Sequence, residues 1–212
     1  MPRNPSITLT RRLIVEAALE LMDRDGYAAF SMPKLGDLLG VRTPSLYHHF
    51  RDREDILAEV AKMVVLETKL PPRRPGTHWT EYFIELSVNF RSTILRHRNT
   101  AAVLLQFLPR DLLAELYETA AVRLRADTEV PVSAHVLILD GLERFTIGAA
   151  LIESTRSEHG PSSAFPNVDP ARQPGLAAAV AENELDSERL FVASLRAFLA
   201  GVEATTRTPP AQ

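Results

Sequence analysis

The residues best equipped for chemistry lie between positions 40 and 57, in the run GVRTPSLYHHFRDREDIL. Thr43 followed by Pro44 is a helix-start signal, which puts Arg42, Thr43 and Ser45 at the N-terminal end of a short helix. An arginine there offers the planar fork that suits guanine O6 and N7, and the hydroxyls reach base edges as well. Tyr47, His48, His49 and Arg53 flank the same segment, with Ser31 and Lys34 upstream. Their hydroxyl, imidazole and cationic groups suit phosphate oxygens, which fix register and affinity but carry no sequence information. By itself the stretch from Pro44 to Phe50 also reads as a helical connector with a solvated polar face, so its neighbours must decide.

Catalytic chemistry is not offered in comparable form. His48 and His49 are adjacent, so on a helix they diverge by about 100° and cannot make the i, i+4 pair of a zinc helix. The sequence contains no H-E-x-x-H, no glycine-rich phosphate loop and no G-x-S-x-G turn. It has no cysteine, which removes thiolate nucleophiles, thiolate metal sites and disulfides, and suits a reducing cytoplasm. Asp140 and Glu143, three apart on an apolar helix, read as a structural or solvent-facing pair. The expectation is no enzyme, no catalytic residue, no metal site and no cofactor.

The elements needed to position the 40–57 run are helical. A helix from about Thr10 to Asp25 turns Leu13, Ile14, Ala17, Ala18, Leu21 and Met22 inward, with Gly26 at the place of a left-handed C-cap. Ser31 and Pro33 open a second, short helix that closes at Gly40, and a third runs from Pro44 to about Phe50. Asp52 caps a fourth, carrying Ile56, Leu57, Val60, Ala61 and Val64. Two short helices joined by the tight GVRT turn make a helix-turn-helix, whose second helix enters the DNA major groove. The formal net charge of -3 does not announce a DNA binder, but residues 1–51 carry seven basic against five acidic side chains, and the remainder 17 against 22.

Three prolines in LPPRRPG, residues 70–76, set a boundary between a DNA-binding domain at 1–70, which includes a connecting helix, and a second domain at 77–206. That second domain begins with a long amphipathic helix from Thr77 to about Arg98, followed by helices near 101–108, 110–127 and 132–155. Residues 156–175, rich in proline, glycine and serine, read as a long loop, and a last helix runs from about Asp186 to Thr205 before a frayed TPPAQ tail. With 212 residues, 45% of them hydrophobic, the chain can bury a sizeable core. It shows neither a signal peptide nor an apolar run long enough to span a membrane. The fold class is therefore all-α.

The signature from the ALEL of the first helix through Gly26-Tyr27, Ser31, Lys34-Leu35-Gly36, Leu39-Gly40-Val41 and Thr43-Pro44-Ser45-Leu46-Tyr47-His48-His49-Phe50 to Arg53 and Leu57 closely resembles the TetR family of transcriptional regulators. The resemblance implies DNA-contact roles for Arg42, Thr43, Ser45, Tyr47, His49 and Arg53, with Ser31 and Lys34 as further phosphate donors. More faintly, FRSTILRHRN at 90–99 and RFTIGAALIE at 144–153 are similar to two core helices of the tetracycline-responsive branch, where a His, a Thr and a Glu help to hold a magnesium-tetracycline complex. Here Leu104 and Phe107 stand at the His and Thr places and Ile152 at the Glu place, with Glu153 one residue out of phase. A Mg²⁺ ion wants oxygen ligands, so no such complex is expected. A small, largely apolar effector is expected instead, in a pocket drawn from Phe90, Ile94, Leu104, Phe107, Phe145 and Ile152, with His97 and Glu153 as orienting polar groups. The same apolar residues serve equally as plain core, and His97, between Arg96 and Arg98, as a solvated side chain.

Ala134, Gly141 and Gly148 recur every seven residues and let another helix approach closely, either from a second copy or from the same chain. Family members pair through a four-helix bundle, which implies a homodimer on a palindromic double-stranded DNA operator. The resulting expectation is a cytoplasmic regulator, most simply a repressor, released when its ligand moves the helix between residues 53 and 69. A DNA-binding protein without ligand control is the alternative.

Overall fold

The computed structural model describes residues 8–107, 110–155, 165 and 167–207. Half of the expected loop at 156–175, and all of the TPPAQ tail, lie outside the described residues. Among those described there are ten α-helices and no strand, as the helical periodicity requires. The chain divides into two compact units, one from Met1–Thr68 with Thr93–Glu115, the other from Lys69–Ser92 with Leu116–Gln212.

The first unit holds the helix-turn-helix. Helix α1, Arg11–Asp25, starts where the Thr10 hydroxyl accepts the Leu13 N–H at 3.2 Å, and it buries Ile14, Val15, Ala17, Ala18, Leu19, Leu21 and Met22. Gly26 ends it at φ 85° and ψ 153°, a positive-φ conformation that glycine tolerates, though outside the left-handed well expected for it. Helix α2, Met32–Leu39, is capped by Ser31 and closes at Gly40, φ 66° and ψ 28°, in the left-handed region. Helix α3, Thr43–Leu46, follows after three residues, and α4, Arg53–Leu66, begins at Asp52, whose carboxylate accepts the Asp55 N–H at 2.8 Å.

Segment 93–115 completes this unit. It contains the last turn of α5, Trp79–Arg96, then a 3-10 turn at Arg98–Thr100, helix α6, Ala101–Phe107, and the start of α7, Arg110–Asp127. The turn packs on α1 and α6 packs on α4, burying Thr100, Ala101, Val103 and Leu104.

The second unit is built on α5, α7, α8 (His135–Ser154), α9 (Pro174–Ala181) and α10 (Ser187–Arg207). Its core joins Trp79, Phe83 and Ile84 of α5 to Leu124, Ile138 and Leu142, and to Phe191, Leu195, Leu199 and Val202 of α10. Gly141 shows why the small-residue stripe exists: a Cβ there would fall 2.2 Å from Phe198 Cζ, so the close approach is to α10 of the same chain. Ala134 is part of the core, whereas a Cβ on Gly148 would meet open space. Helix α9 falls partly within the stretch read as loop. It is apolar throughout yet buries none of its residues, so it lacks the two-faced periodicity by which a surface helix is recognised in sequence.

Candidate functional site

The recognition element is α3, and its regular part is only four residues long. Two backbone bonds extend it: the His49 and Phe50 N–H groups both donate to the Leu46 carbonyl at 3.0 Å, which accounts for the expected end at Phe50. Leu46 is fully buried and Phe50 2% exposed, so the helix is pinned by its apolar side. Its approach to α2 is set by Gly36, where a Cβ would lie 2.9 Å from the Val41 carbonyl oxygen and 3.5 Å from the Thr43 nitrogen. The Val41 N–H in turn donates to the Gly36 carbonyl at 2.9 Å.

The opposite side of α3 is the polar one. Arg42 sits at the N-cap with extended backbone, makes no capping bond with its side chain, and is exposed. Thr43 and Ser45 are half-buried beside it, while Tyr47, His48 and Lys34 are exposed and His49 is half-buried. Ser31 spends its hydroxyl oxygen as acceptor for the Lys34 N–H, at 3.4 Å. Arg53 is half-buried, its guanidinium carbon 5.2 Å from the ring centroids of both Tyr27 and Phe30, a cation-π arrangement that fixes the start of α4. The candidate DNA-contact residues thus all belong to one unit, on α2, α3 and the first turn of α4.

Arg11, at the start of α1, is a residue that sequence reasoning did not single out. It stacks on Phe50 with its guanidinium carbon 4.0 Å from the ring centroid and donates through Nη1 to the His49 carbonyl.

The effector candidates do not form one group. Ile94, His97, Leu104 and Phe107 belong to the unit that carries the reader, whereas Phe90, Phe145, Ile152 and Glu153 belong to the other. Ile94 and Leu104 are core. His97 is half-buried and paired on both ring nitrogens: its Nδ1 lies 2.6 Å from Asp23 Oδ2 and its Nε2 3.0 Å from Glu67 Oε2. The hydrogen bond with Asp23, followed by that with Glu67, raises its pKa against the opposing effect of burial. Asp23 is further held by the Thr100 hydroxyl at 2.9 Å and by Asn99, whose amide donates to the Asp23 carbonyl at 2.7 Å.

In the second unit Phe145, Ile152 and Glu153 line a cavity of about 370 Å³ together with Gly148, Leu190, Phe191 and Arg91. Phe90 is half-buried on α5 and does not line it. Arg91 is 3% exposed. It donates to the Glu153 carboxylate, which also accepts the Ser187 hydroxyl at 3.0 Å, and it faces the Phe191 ring at 5.4 Å. Nothing local marks Arg91 in the sequence, where it is one of several arginines; its burial comes from α8 and α10. Asp140 and Glu143 each have a partner of their own, Arg144 at 2.6 Å and the Tyr117 hydroxyl.

The residues present do not fit magnesium-tetracycline. Leu104, Phe107 and Ile152 supply no oxygen, and the Glu153 carboxylate is engaged by Arg91.

A tight-turned recognition helix on one helical unit, and a cavity of ligand size in another, define a DNA-binding regulator with a helical sensor module. Residues 14–60 match the family of bacterial regulatory proteins called tetR, and residues 71–206 match the tetracyclin repressor-like C-terminal domain. The chain belongs to this TetR family: it is a ligand-responsive transcriptional regulator and not an enzyme. It is 26% identical over 203 residues to the tetracycline repressor protein class D of Escherichia coli, covering 92% of this chain and 89% of that protein. It is 33% identical over 144 residues to the class A repressor from transposon 1721 of Escherichia coli, covering 66% of this chain and 65% of that one. Among solved structures it is similar to the Streptomyces coelicolor TetR family protein ActR in complex with actinorhodin, with 27% identity, a TM-score of 0.77, and coverage of 94% of this chain and 99% of that one.

Proposed function

We propose that the chain acts in the cytoplasm as a homodimeric repressor that binds a palindromic operator and is released by a small, largely apolar ligand. The observation that carries the DNA-binding part is the presentation of Arg42, Thr43 and Ser45 at the N-terminal end of a helix whose other face is locked by Leu46 and Phe50. Arg42 reads a guanine, Thr43 and Ser45 reach neighbouring base edges, and Tyr47, His48, His49, Lys34, Ser31 and Arg53 set register on phosphates.

A second copy is favoured by apolar surface left uncovered in a single chain. On α8, Leu137, Phe145 and Ile152 are 53%, 40% and 60% exposed, and α9 buries nothing. Apolar exposure of this kind suits an association surface. Two-fold pairing then demands an operator with two half-sites about one helical turn apart, or a multiple of it.

The cavity lined by Phe145, Ile152 and Phe191 has the size and apolar character of a ligand site. Arg91, Glu153 and Ser187 provide hydrogen-bonding groups for orientation, with no metal ion required. ActR is bound to actinorhodin in the structure it shares this fold with; by the same analogy an organic effector, not a metal complex, controls this chain. Phe90, Ile94, Leu104 and Phe107 remain the other candidates for effector contact, the first two on α5, which is one continuous helix. Ligand and operator then antagonise one another reciprocally, with a coupling of about 1–3 kcal/mol.

The test is selection of bound duplexes from a random library by the purified protein. A palindrome is expected, with Arg42→Ala losing about 2 kcal/mol of discrimination at one base pair of each half-site while retaining affinity for unrelated duplex. Enrichment no better than a salt-sensitive background would overturn the proposal.

A further inference from the structure

Helix α3 is too short to hold its own orientation. A four-residue helix fixes few internal hydrogen bonds, so packing and outside partners decide where its side chains point. On the α2 side the constraint is the close approach at Gly36. On the other side, where the carbonyls of the last turn point away from the helix, the partner comes from the first residue of α1.

Arg11 meets three parts of the reader with one guanidinium. Its carbon lies 4.0 Å from the Phe50 ring centroid, its Nη1 donates to the His49 carbonyl, and its Nη2 lies 3.8 Å from both Asp55 Oδ1 and Glu59 Oε1 on α4. Asp55 is itself fastened to the same turn, since its Oδ2 accepts the Arg51 N–H at 3.1 Å. A cation beside C-terminal helix carbonyls is also placed favourably with respect to the helix dipole. Only arginine can do all of this at once: the planar fork stacks on a ring and directs donors to a carbonyl and to carboxylates, whereas a lysine ammonium is a single point charge.

We propose that Arg11 is a positioning residue for operator reading: it sets the rotation at which α3 presents Arg42, Thr43 and Ser45, without itself contacting base or phosphate. The proposal rests on the DNA-reading assignment made above. Half of the Arg11 side chain is exposed, so the competing role is a direct phosphate contact, and the two roles separate cleanly. A phosphate contact is sequence-independent; its loss weakens all duplexes alike and lowers the slope of log affinity against log salt by about one, and lysine largely replaces it. A positioning role changes the ratio of operator to unrelated-duplex binding, leaves the slope unchanged, and is not rescued by lysine.

The experiment measures binding of the full chain and its Arg11→Lys and Arg11→Met variants to the selected operator and to an unrelated duplex, each over a range of salt. Both ratios come from the same preparation, so a partly unfolded variant does not distort them. The expected result is a fall of roughly tenfold or more in operator preference for both variants, with unaltered affinity for unrelated duplex. An unchanged preference, or a uniform loss with a shallower salt slope that Arg11→Lys restores, overturns the proposal. If the unaltered chain selects no operator at all, it is the DNA-reading assignment that fails.

Discussion

Replacing Gly36 by valine is expected to cost about 3 kcal/mol of stability and to abolish operator binding, with Gly36→Ala lying between valine and the unaltered chain. The reason is steric and local. The first carbon of any side chain at position 36 falls 2.9 Å from the Val41 carbonyl oxygen, well inside ordinary van der Waals separation. Its neighbour is backbone, which cannot swing away like a side-chain tip. That backbone is also committed: Val41 donates to Gly36 at 2.9 Å, Gly40 donates to Asp37 at 3.1 Å, and Gly40 occupies the left-handed region. Relief therefore requires the turn to open or α2 to slide, and overpacking of this sort costs about 1–3 kcal/mol for added methyl groups. Either movement displaces α3, because Leu46 and Phe50 hold it to the rest of the unit. Denaturant unfolding and operator titration check both halves, and a Gly36→Val chain that bound its operator normally would show that the turn tolerates what its geometry forbids.

What was legible in the sequence is what short-range chemistry decides. Ser31 and Asp52 announce helix starts because a capping side chain serves an N–H three residues away, and each does so in the structure, as does Thr10, which the sequence places inside its helix. Gly40 announces a helix end for the same local reason. The 40–57 run was recognisable because recognition helices expose their polar groups in a fixed order along one short segment. Residues whose roles come from distant partners were hidden. His97 is 74 positions from Asp23 and 30 from Glu67, and Arg91 is 62 from Glu153, so neither pairing leaves a periodic trace. Arg11 meets a carbonyl 38 residues on and reads, in sequence, as a solvated charge at a helix start. The proline-rich stretch at 70–76 was a clear break in the chain, but the packing of 93–115 beside α1 and α4 depends on which surfaces match in three dimensions.

The paired carboxylates around His97 lead to the second large effect. A neutral imidazole carries one N–H, so only the protonated ring donates both to Asp23 and to Glu67 at once. Hydrogen bonding to Asp23, then to Glu67, raises the pKa of His97 above its ordinary value. A histidine whose pKa is raised on folding contributes stability in full below its unfolded pKa of about 6.5, and that contribution disappears as pH climbs through the raised value. Unfolding free energy is therefore expected to decline as pH rises from 6 toward the alkaline side. In His97→Gln the decline at these pH values is expected to flatten, and at pH 6 the variant loses about 3 kcal/mol, from two charge-assisted bonds discounted for the partial exposure of both carboxylates. Arg96 also lies 3.4 Å from Glu67 Oε2, while Asn99 and Thr100 are neutral partners of Asp23. Denaturant titrations of the two proteins at several pH values decide the matter: parallel curves would assign the pH response to other groups and leave His97 a packing residue. Asp23 lies in the last turn of α1, Glu67 is the C-cap of α4 and His97 follows α5, so the clasp ties three elements of the unit that carries the reader. Loosening it by alkali or by mutation is therefore expected to lower operator affinity together with stability.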